Sequence, residues 1–124
     1  MAVVAPTITE VESLYGHAHS VVWAAMANGD TGTPFAMPTS ADRSVQVEGT
    51  FGVGGTLTMQ GSNTLASTGQ TWASLHDPQG NAFAQTVAQI EEVAEVTLWI
   101  RPNVTAGDGT TAITVSMCVR KSGI

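Results

Sequence analysis

Apolar and polar residues alternate along several short stretches of the chain, and a period of two residues predicts β-strands with one buried face. The alternation is cleanest at residues 43–51 and 113–119, and it recurs at residues 56–61 and 96–101. These four stretches predict strands that share one core. We expect that core to contain Val45, Val47, Phe51, Leu57, Met59, Leu98, Ile100, Ile113, Val115 and Met117.

Glycine and proline mark the ends of these stretches and indicate the turns between them. Residues 52–55 contain three glycines, which supply the positive φ angles of a hairpin turn between the strands on either side. Pro102 is expected to end the strand before it, because proline donates no hydrogen bond to a sheet. The loop at residues 103–110 then predicts a second hairpin with the last strand.

The remaining elements follow from shorter patterns. Strands are predicted at residues 21–26, 72–75 and 81–87, whereas residues 88–94 have apolar positions at helical spacing and predict one short helical turn. Residues 28–42 are expected to form an ordered loop. The predicted fold is therefore an all-β, antiparallel β-sandwich, jelly-roll-like, with at most one short helical turn.

The length of 124 residues indicates one domain. We expect an N-terminal arm or edge strand at residues 1–17 and a single sandwich domain at residues 18–124. The apolar stretch at residues 2–8 is typical of an arm that docks on a neighbouring molecule by adding a strand to its sheet.

Composition excludes several classes of function. The net charge is −6, which argues against DNA or RNA binding and against a polybasic membrane-binding patch. No apolar run reaches the 18 or so residues of a membrane-spanning helix, and the single cysteine excludes an internal disulfide. Only 11% of the residues are charged, while the chain holds 17 Thr, 14 Val and 13 Gly, a composition that favours strands and turns.

Metal and cofactor sites were sought among the histidines and acidic residues. His17 and His19 would share one face of a strand, and His76 is a conceivable third ligand, but no carboxylate stands at ligand spacing. Asp108 lies between two glycines as at the start of a calcium loop, yet the further acidic positions of such a loop are missing. The sequence therefore predicts neither a bound metal nor a cofactor.

Catalytic patterns are equally sparse. Cys118 has no histidine near it in sequence, and no serine stands in a Gly-x-Ser-x-Gly elbow. Glu91, Glu92 and Glu95 are interpreted as the solvated face of the helical turn rather than as a glycosidase pair. The sequence therefore predicts a protein without enzymatic activity.

Three tryptophans, Trp23, Trp72 and Trp99, are the main candidates for binding. Packing in a core or a subunit interface explains them most simply, because tryptophan is favoured in both. Trp99 is expected to face away from Ile100 and to cover an outer surface. An exposed tryptophan on a β-sandwich can also stack on sugar rings, so a carbohydrate-binding module of a virion or tail is the alternative function.

A series of turns and strands resembles a family of small virion proteins, the head decoration or cement proteins of tailed bacteriophages, which have a jelly-roll-like sandwich. The resemblance covers about residues 18–121, and its motifs are structural rather than catalytic. The segments that carry it are residues 49–63, 72–82, 100–102 and 107–115.

The resemblance implies a structural protein that decorates and stabilises a capsid by binding the outer surface of the major capsid protein lattice. It implies self-association as a dimer or trimer, and a location on the capsid exterior after synthesis in the host bacterial cytoplasm. Neither a nucleic acid nor a membrane is an expected partner. The residues expected at the capsid or oligomer interface are Val3, Val4, Pro6, Ile8, Phe35, Met37 and Trp99.

Overall fold

The computed structural model describes residues 1–13, 16–36 and 40–121, and these form two β-sheets that pack face to face. The prediction of an all-β sandwich is confirmed. This described part of the chain contains no helix, and hence none that is long and apolar enough to cross a membrane. The strands are β1 Val3–Val4, β2 Thr7–Ser13, β3 Gly16–Met26, β4 Thr31–Gly32, β5 Phe35–Ala36, β6 Ser40–Thr50, β7 Thr56–Ser62, β8 Ala73–Ser74, β9 Ala84–Gln85, β10 Gln89–Glu92, β11 Trp99–Ala106 and β12 Ala112–Lys121.

The five-stranded sheet has the order β10-β6-β12-β3-β2, and all its neighbouring strands are antiparallel. The seven-stranded sheet has the order β1-β4-β11-β7-β8, with β5 also paired to β11 and β9 to β7. Its strands are antiparallel except for the parallel pair β1 and β4.

Most connections pass from one sheet to the other. From β3 onward the chain changes sheet at each connection, except where β4 leads to β5 and where β7 leads to β8 and β9. One layer therefore contains, in order, β3, β12, β6 and β10. The layer that faces it contains, in the same order, the pair β4 and β5, then β11, then β7, and then the pair β8 and β9. This order is the jelly-roll arrangement of two four-stranded layers, to which β1 and β2 add one edge strand each.

The two predicted hairpins are wrong, because their strands lie in different sheets. Residues 52–55 lead from β6 in one sheet to β7 in the other, and the loop after β11 crosses back to β12 in the same way. Alternation of apolar and polar residues identifies the buried face of a strand but does not identify its neighbour. Two strands that face each other across a core show the same pattern as two that pair.

The predicted helical turn at residues 88–94 is also wrong, because β10 occupies most of it. β10 pairs with β6, so that Gln89 lies opposite Val47 and Ile90 opposite Gln46. Ile90 is 62% exposed and Val93 is buried. The backbone hydrogen bonds available along the edge of β6 outweigh the weak helical preference of so short a segment.

Pro102 does not end a strand but lies inside β11, opposite Met59 of β7. On its other side β11 pairs with β5 at Ile100 and with β4 at Asn103, so Pro102 lies opposite the break between these two short strands. No sheet hydrogen bond is needed at that break, which explains why proline is tolerated there. Residues 28–42, expected as a loop, accordingly contain β4, β5 and the first residues of β6.

The core lies between the two sheets, and half of its buried apolar residues were predicted. Eight of the ten expected core residues are buried, while Phe51 is partly buried against the core and Leu98 is of intermediate exposure. The prediction missed eight buried residues, of which four lie on the long strands β3 and β12 and the others on β11 and in shorter segments. These additional buried apolar residues are Val21, Trp23, Met26, Leu75, Phe83, Val93, Val104 and Val119.

Asp108 ties the two sheets together at one end of the sandwich. One oxygen of its carboxylate accepts a hydrogen bond from the Val53 N–H (2.8 Å), in the β6–β7 connection, and the other accepts from the Thr110 N–H and hydroxyl (2.9 and 2.6 Å). The Thr111 hydroxyl also donates to the Phe51 carbonyl (2.8 Å). The Thr110 and Val53 bonds favour the charged carboxylate and lower the pKa of Asp108 to about 2. Asp108 is thus a turn residue.

Candidate binding surfaces

One side of the sandwich is formed by β1 and β2, and we call it the N-terminal edge. β1 borders β4 in the seven-stranded sheet, while β2 borders β3 in the five-stranded sheet. β1 also lies against β3, which places both strands on the same side of the molecule. The first 13 residues therefore run along the border of both sheets in turn.

Asp30 fixes the start of this edge. The buried Asp30 carboxylate accepts hydrogen bonds from the N–H groups of Ala2 and Ala27, both at 2.9 Å. The Thr31 N–H donates to the Ala2 carbonyl (3.0 Å), and the Thr33 N–H donates to the Val4 carbonyl (2.8 Å). Residues 2–4 are consequently held by the fold as part of a sheet.

Apolar side chains are exposed along the N-terminal edge. Val3 is 69% exposed, Ile8 52% and Val11 50%, and Pro6 between them is of intermediate exposure. Val4 points the other way and packs partly against the core. Four of the predicted interface residues, Val3, Val4, Pro6 and Ile8, thus lie on one side of the sandwich, with three of them at its surface.

β2 is the longest outer strand of the described sheets. Its seven residues pair with β3 on one side only, whereas the outer strands β10 and β8 have four and two residues. An unpaired strand edge presents free N–H and C=O groups to which another chain can add a strand. The N-terminal edge combines the longest such strand with exposed apolar side chains.

The other predicted interface residues lie elsewhere. Phe35 belongs to β5 and packs partly against the core, so much of its ring is unavailable to a partner. Met37 falls outside the described residues. Trp99 is the first residue of β11 and points to the outer face of the seven-stranded sheet, opposite the buried Ile100, as predicted from the alternation.

A second surface lies on the outer face of the seven-stranded sheet. The Arg101 guanidinium lies over the Trp72 ring, with 4.2 Å between its central carbon and the ring centroid. Arg101 Nε donates to Gln60 Oε1 (2.8 Å), and Trp99 stands two residues earlier on the same face of β11. No sequence pattern indicates this arrangement, because Trp72 and Arg101 are far apart along the chain.

The tryptophans have distinct roles in the fold. Trp23 is fully buried and its indole N–H donates to the Thr33 carbonyl (3.1 Å). The Trp99 indole N–H donates to the Thr64 carbonyl (2.9 Å), which fixes the ring against the loop that follows β7. Trp23 therefore belongs to the core, whereas Trp72 and Trp99 are partly exposed on one outer face.

His17 and His19 lie two residues apart on β3, whereas His76 lies outside this strand. His17 lies 3.6 Å from the Glu10 carboxylate, whereas His76 contacts Glu95. Within residues 1–13, 16–36 and 40–121, no group of three or more His, Cys, Asp or Glu side chains is placed to hold a metal ion.

His76 and Glu95 form the closest pair of a histidine and a carboxylate. The Glu95 carboxylate accepts a hydrogen bond from the backbone N–H of His76 (2.7 Å). Its second oxygen lies 2.5 Å from Nδ1 of the His76 ring. Burial disfavours the charged form of Glu95, but these hydrogen bonds outweigh burial and lower the pKa of the carboxylate. No described serine, threonine or cysteine side chain hydrogen-bonds to His76, so the pair serves to join two loops.

The remaining acidic candidates are dispersed. Glu91 accepts a hydrogen bond from the Gln85 amide, and the neighbouring Glu92 is exposed on β10. The expected cluster of Glu91, Glu92 and Glu95 on one helical turn is therefore wrong, since a strand places adjacent residues on opposite faces.

The outer face of the five-stranded sheet carries small polar side chains. Cys118 is exposed there, between Ser44 and Ser20 on the neighbouring strands. Close by, Arg120 donates to Asp42 (2.8 Å), and this bond raises the pKa of Arg120. An open depression of about 360 Å³ lies at this place, with a lining that includes Cys118 and the Asp42–Arg120 pair.

No family model, curated protein or solved structure matches this chain.

Proposed function

We propose that this protein is a structural component of a virion, which decorates a tailed-phage capsid by binding the outer surface of the major capsid protein lattice. The N-terminal edge is the proposed contact. The protein acts there as a dimer or trimer, and its location is the capsid exterior. The resemblance of the sequence to head decoration proteins suggests the partner.

The observation that carries this proposal is the exposure of Val3, Ile8 and Val11 along one border of the sandwich. Apolar side chains grouped at an edge are typical of protein interfaces, because their burial against a partner removes them from water. The unpaired edge of β2 adds backbone groups that a partner strand can satisfy. A jelly-roll sandwich with such a border is suited to attachment on a larger protein assembly.

This proposal changes the expected role of the N-terminal segment. The sequence left an arm or an edge strand open for residues 1–17, and residues 2–4 are held by β4 and Asp30. A contact made by an ordered edge loses little chain entropy on binding. The N-terminal edge therefore acts as a rigid surface, and contacts at neighbouring sites of a lattice add through high effective concentration.

The test is co-sedimentation of the full-length protein with capsid shells from which it has been stripped. Deletion of the N-terminal residues is unsuitable, because these residues form part of both sheets. Ile8 pairs with the buried Val21 of β3 but is 52% exposed and is not part of the core cluster, so Ile8→Glu is the sharper change. We expect at least a tenfold loss of binding to the shells, about the effect of removing one well-buried interface residue.

Ile90→Glu is the matched control. Ile90 lies on β10, the opposite edge of the same sheet, and is 62% exposed against 52% for Ile8. The Ile90 variant is expected to bind shells as the parent does, and both variants should melt near the parent. Parent protein that remains in the supernatant with both unexpanded and expanded shells would contradict the decoration function. Equal losses for both variants would contradict only the assignment to the N-terminal edge.

A further inference from the structure

Arg101 stands out among the basic residues of this acidic protein. Arg120 is paired with Asp42, and the charge of Glu95 acts on the buried Arg43. Arg101, by contrast, forms no ion pair with any carboxylate in the described part of the chain. A partly buried arginine without a counter-ion in the fold is a suitable partner for an anionic ligand.

The Arg101 guanidinium is nevertheless held in a fixed orientation. Nε donates to Gln60 Oε1 at 2.8 Å, and the planar group stacks on the Trp72 ring at 4.2 Å. Burial lowers the pKa of Arg101, a sign that its charge is incompletely hydrated. Both Nη groups lack a hydrogen-bond partner among the described residues, so four N–H donors remain available on one preformed fork.

Aromatic and polar side chains surround this fork on the same face. Trp99 precedes Arg101 by two residues on β11, and Asn103 follows it by two. Across the sheet, the register places Gln60 beside Arg101 and Ser74 beside Gln60. The surface thus offers an aromatic ring, a cation, amides and a hydroxyl on one sheet face.

We propose that this face binds an acidic saccharide, with a sugar carboxylate on the Nη groups of Arg101 and a sugar ring against Trp99. An arginine fork matches the two oxygens of a carboxylate, and a tryptophan provides a flat apolar surface with a polar end. Selectivity for the acidic form comes from Arg101. This inference does not depend on the proposed attachment to a capsid, because it uses a different surface.

A saccharide fits this face better than an acidic peptide does. An extended peptide binds a sheet mainly through backbone hydrogen bonds at an edge. Here β11 is flanked by β7 on one side and by β4 and β5 on the other, so its backbone groups are used within the sheet. The outer face presents side chains alone, which suit the ring faces, hydroxyls and carboxylate of a uronic acid.

The test is a titration of the full-length protein with a short oligomer of galacturonic acid, followed by tryptophan fluorescence and calorimetry. The fully methyl-esterified oligomer is the matched ligand, because it keeps the rings and removes the charges. We expect saturable binding of the acid and about tenfold or greater weakening with the ester, the usual effect of losing a charged hydrogen bond. Binding of the acid should also weaken as salt is added.

Two variants of Arg101 separate the effect of its positive charge from the effect of its planar guanidinium geometry. Arg101→Gln should abolish the preference for the acid, and Arg101→Lys should restore only part of it, because lysine lacks the bidentate fork. Arg120→Gln is the control, since Arg120 lies on the outer face of the other sheet. Melting curves establish that each variant is folded.

Several outcomes would overturn this proposal. They are equal binding of the acid and the ester, unchanged binding by Arg101→Gln, and no binding of the acid at millimolar concentration. A poly-glutamate peptide that displaces the acid at equal concentration would assign the face to an acidic peptide instead. Co-sedimentation of Arg101→Gln with capsid shells is expected to be normal, which keeps this test independent of the proposed function.

Discussion

The two sheets of the sandwich differ in regularity. In the five-stranded sheet, β3, β6 and β12 are ten or eleven residues long and pair almost without interruption. In the seven-stranded sheet the longest strand has eight residues, and five of the seven strands have only two. The first sheet is a continuous scaffold, whereas the second is assembled from short segments joined by loops.

The outer faces of the two sheets also differ in the side chains that they expose. The long strands expose Gln46, Glu48 and Cys118, and Asp42 forms an ion pair there with Arg120. The seven-stranded sheet exposes Trp99 and Arg101, with Trp72 brought to them by a loop. The outer face of the seven-stranded sheet thus carries the proposed saccharide site, and this contrast between the two outer faces can be tested residue by residue.

The largest effect is expected in the core beneath the long strands. Val115 is fully buried between Trp23 on β3 and Val47 on β6. Val115→Asp loses about 2 kcal/mol of apolar burial and adds several kcal/mol for a buried charge, against a total stability of about 5–15 kcal/mol. The variant should be unfolded by circular dichroism.

Ser116→Asp is the control for that variant, because Ser116 is the next residue of β12 and points to the outer face. It should keep the fold with a modest loss of stability. A Val115→Asp protein that melts like the parent would show that the inner and outer faces of β12 have been exchanged.

The second prediction concerns packing in the seven-stranded sheet. A Cβ atom on Gly32 would lie 2.6 Å from both Pro102 Cδ and Trp23 Nε1. Gly32→Ala should therefore cost about 1–3 kcal/mol through overpacking, and the melting temperature should fall by roughly 5–10 °C. Gly109→Ala, where a Cβ meets nothing within 4 Å, should melt like the parent. Equal melting of both variants would mean that this sheet is loosely packed around Pro102.

A third, smaller effect is expected at Asp108, where the two sheets are joined. Its folded pKa of about 2 lies below the ordinary value of 3.8. The stabilisation is therefore complete above about pH 4, and it is lost as the pH falls from 4 towards 2. Asp108→Asn should melt below the parent at pH 6, and the difference should shrink towards pH 2. A difference that does not vary with pH would exclude the charged carboxylate as its cause.

The smallest effect is expected on the outer face of the five-stranded sheet. Cys118→Ser should change stability by less than about 0.5 kcal/mol, because the thiol is exposed and its neighbours Ser20 and Ser44 are polar. Reductant and a metal chelator should likewise leave the melting temperature of the parent unchanged. A fall of several degrees with chelator would reveal a metal site that contributes to stability.

The same contrast between the sheets explains what the sequence could predict. Alternation over many residues identified β6 and β12 and half of the buried core, because a long strand repeats its pattern several times. Strands of two residues, such as β4 and β5, have too few residues to show an alternating pattern, and both lie in the stretch that was expected to be a loop. The sheet to which each strand belongs could not be predicted either. Strands that face each other across the core show the same alternation of apolar and polar residues as strands that pair.

The candidate binding residues were predictable to different degrees. The exposure of Trp99 followed from its position next to Ile100 on one strand. The apolar character of residues 2–8 was plain from the sequence. The pairing of residues 3 and 4 with β4, next to the hydrogen bond from Ala2 to the buried Asp30 carboxylate, is indicated by no local pattern. The stacking of Arg101 on Trp72 joins distant segments and depends on the tertiary fold.

Imaging of intact virions that carry this protein tests the central claim most directly. The account predicts density for the sandwich on the outside of the capsid, with Val3, Ile8 and Val11 against the shell and Arg101 facing solvent. Density on the tail alone, or a sandwich attached to the shell through the face that carries Trp72 and Arg101, would contradict it.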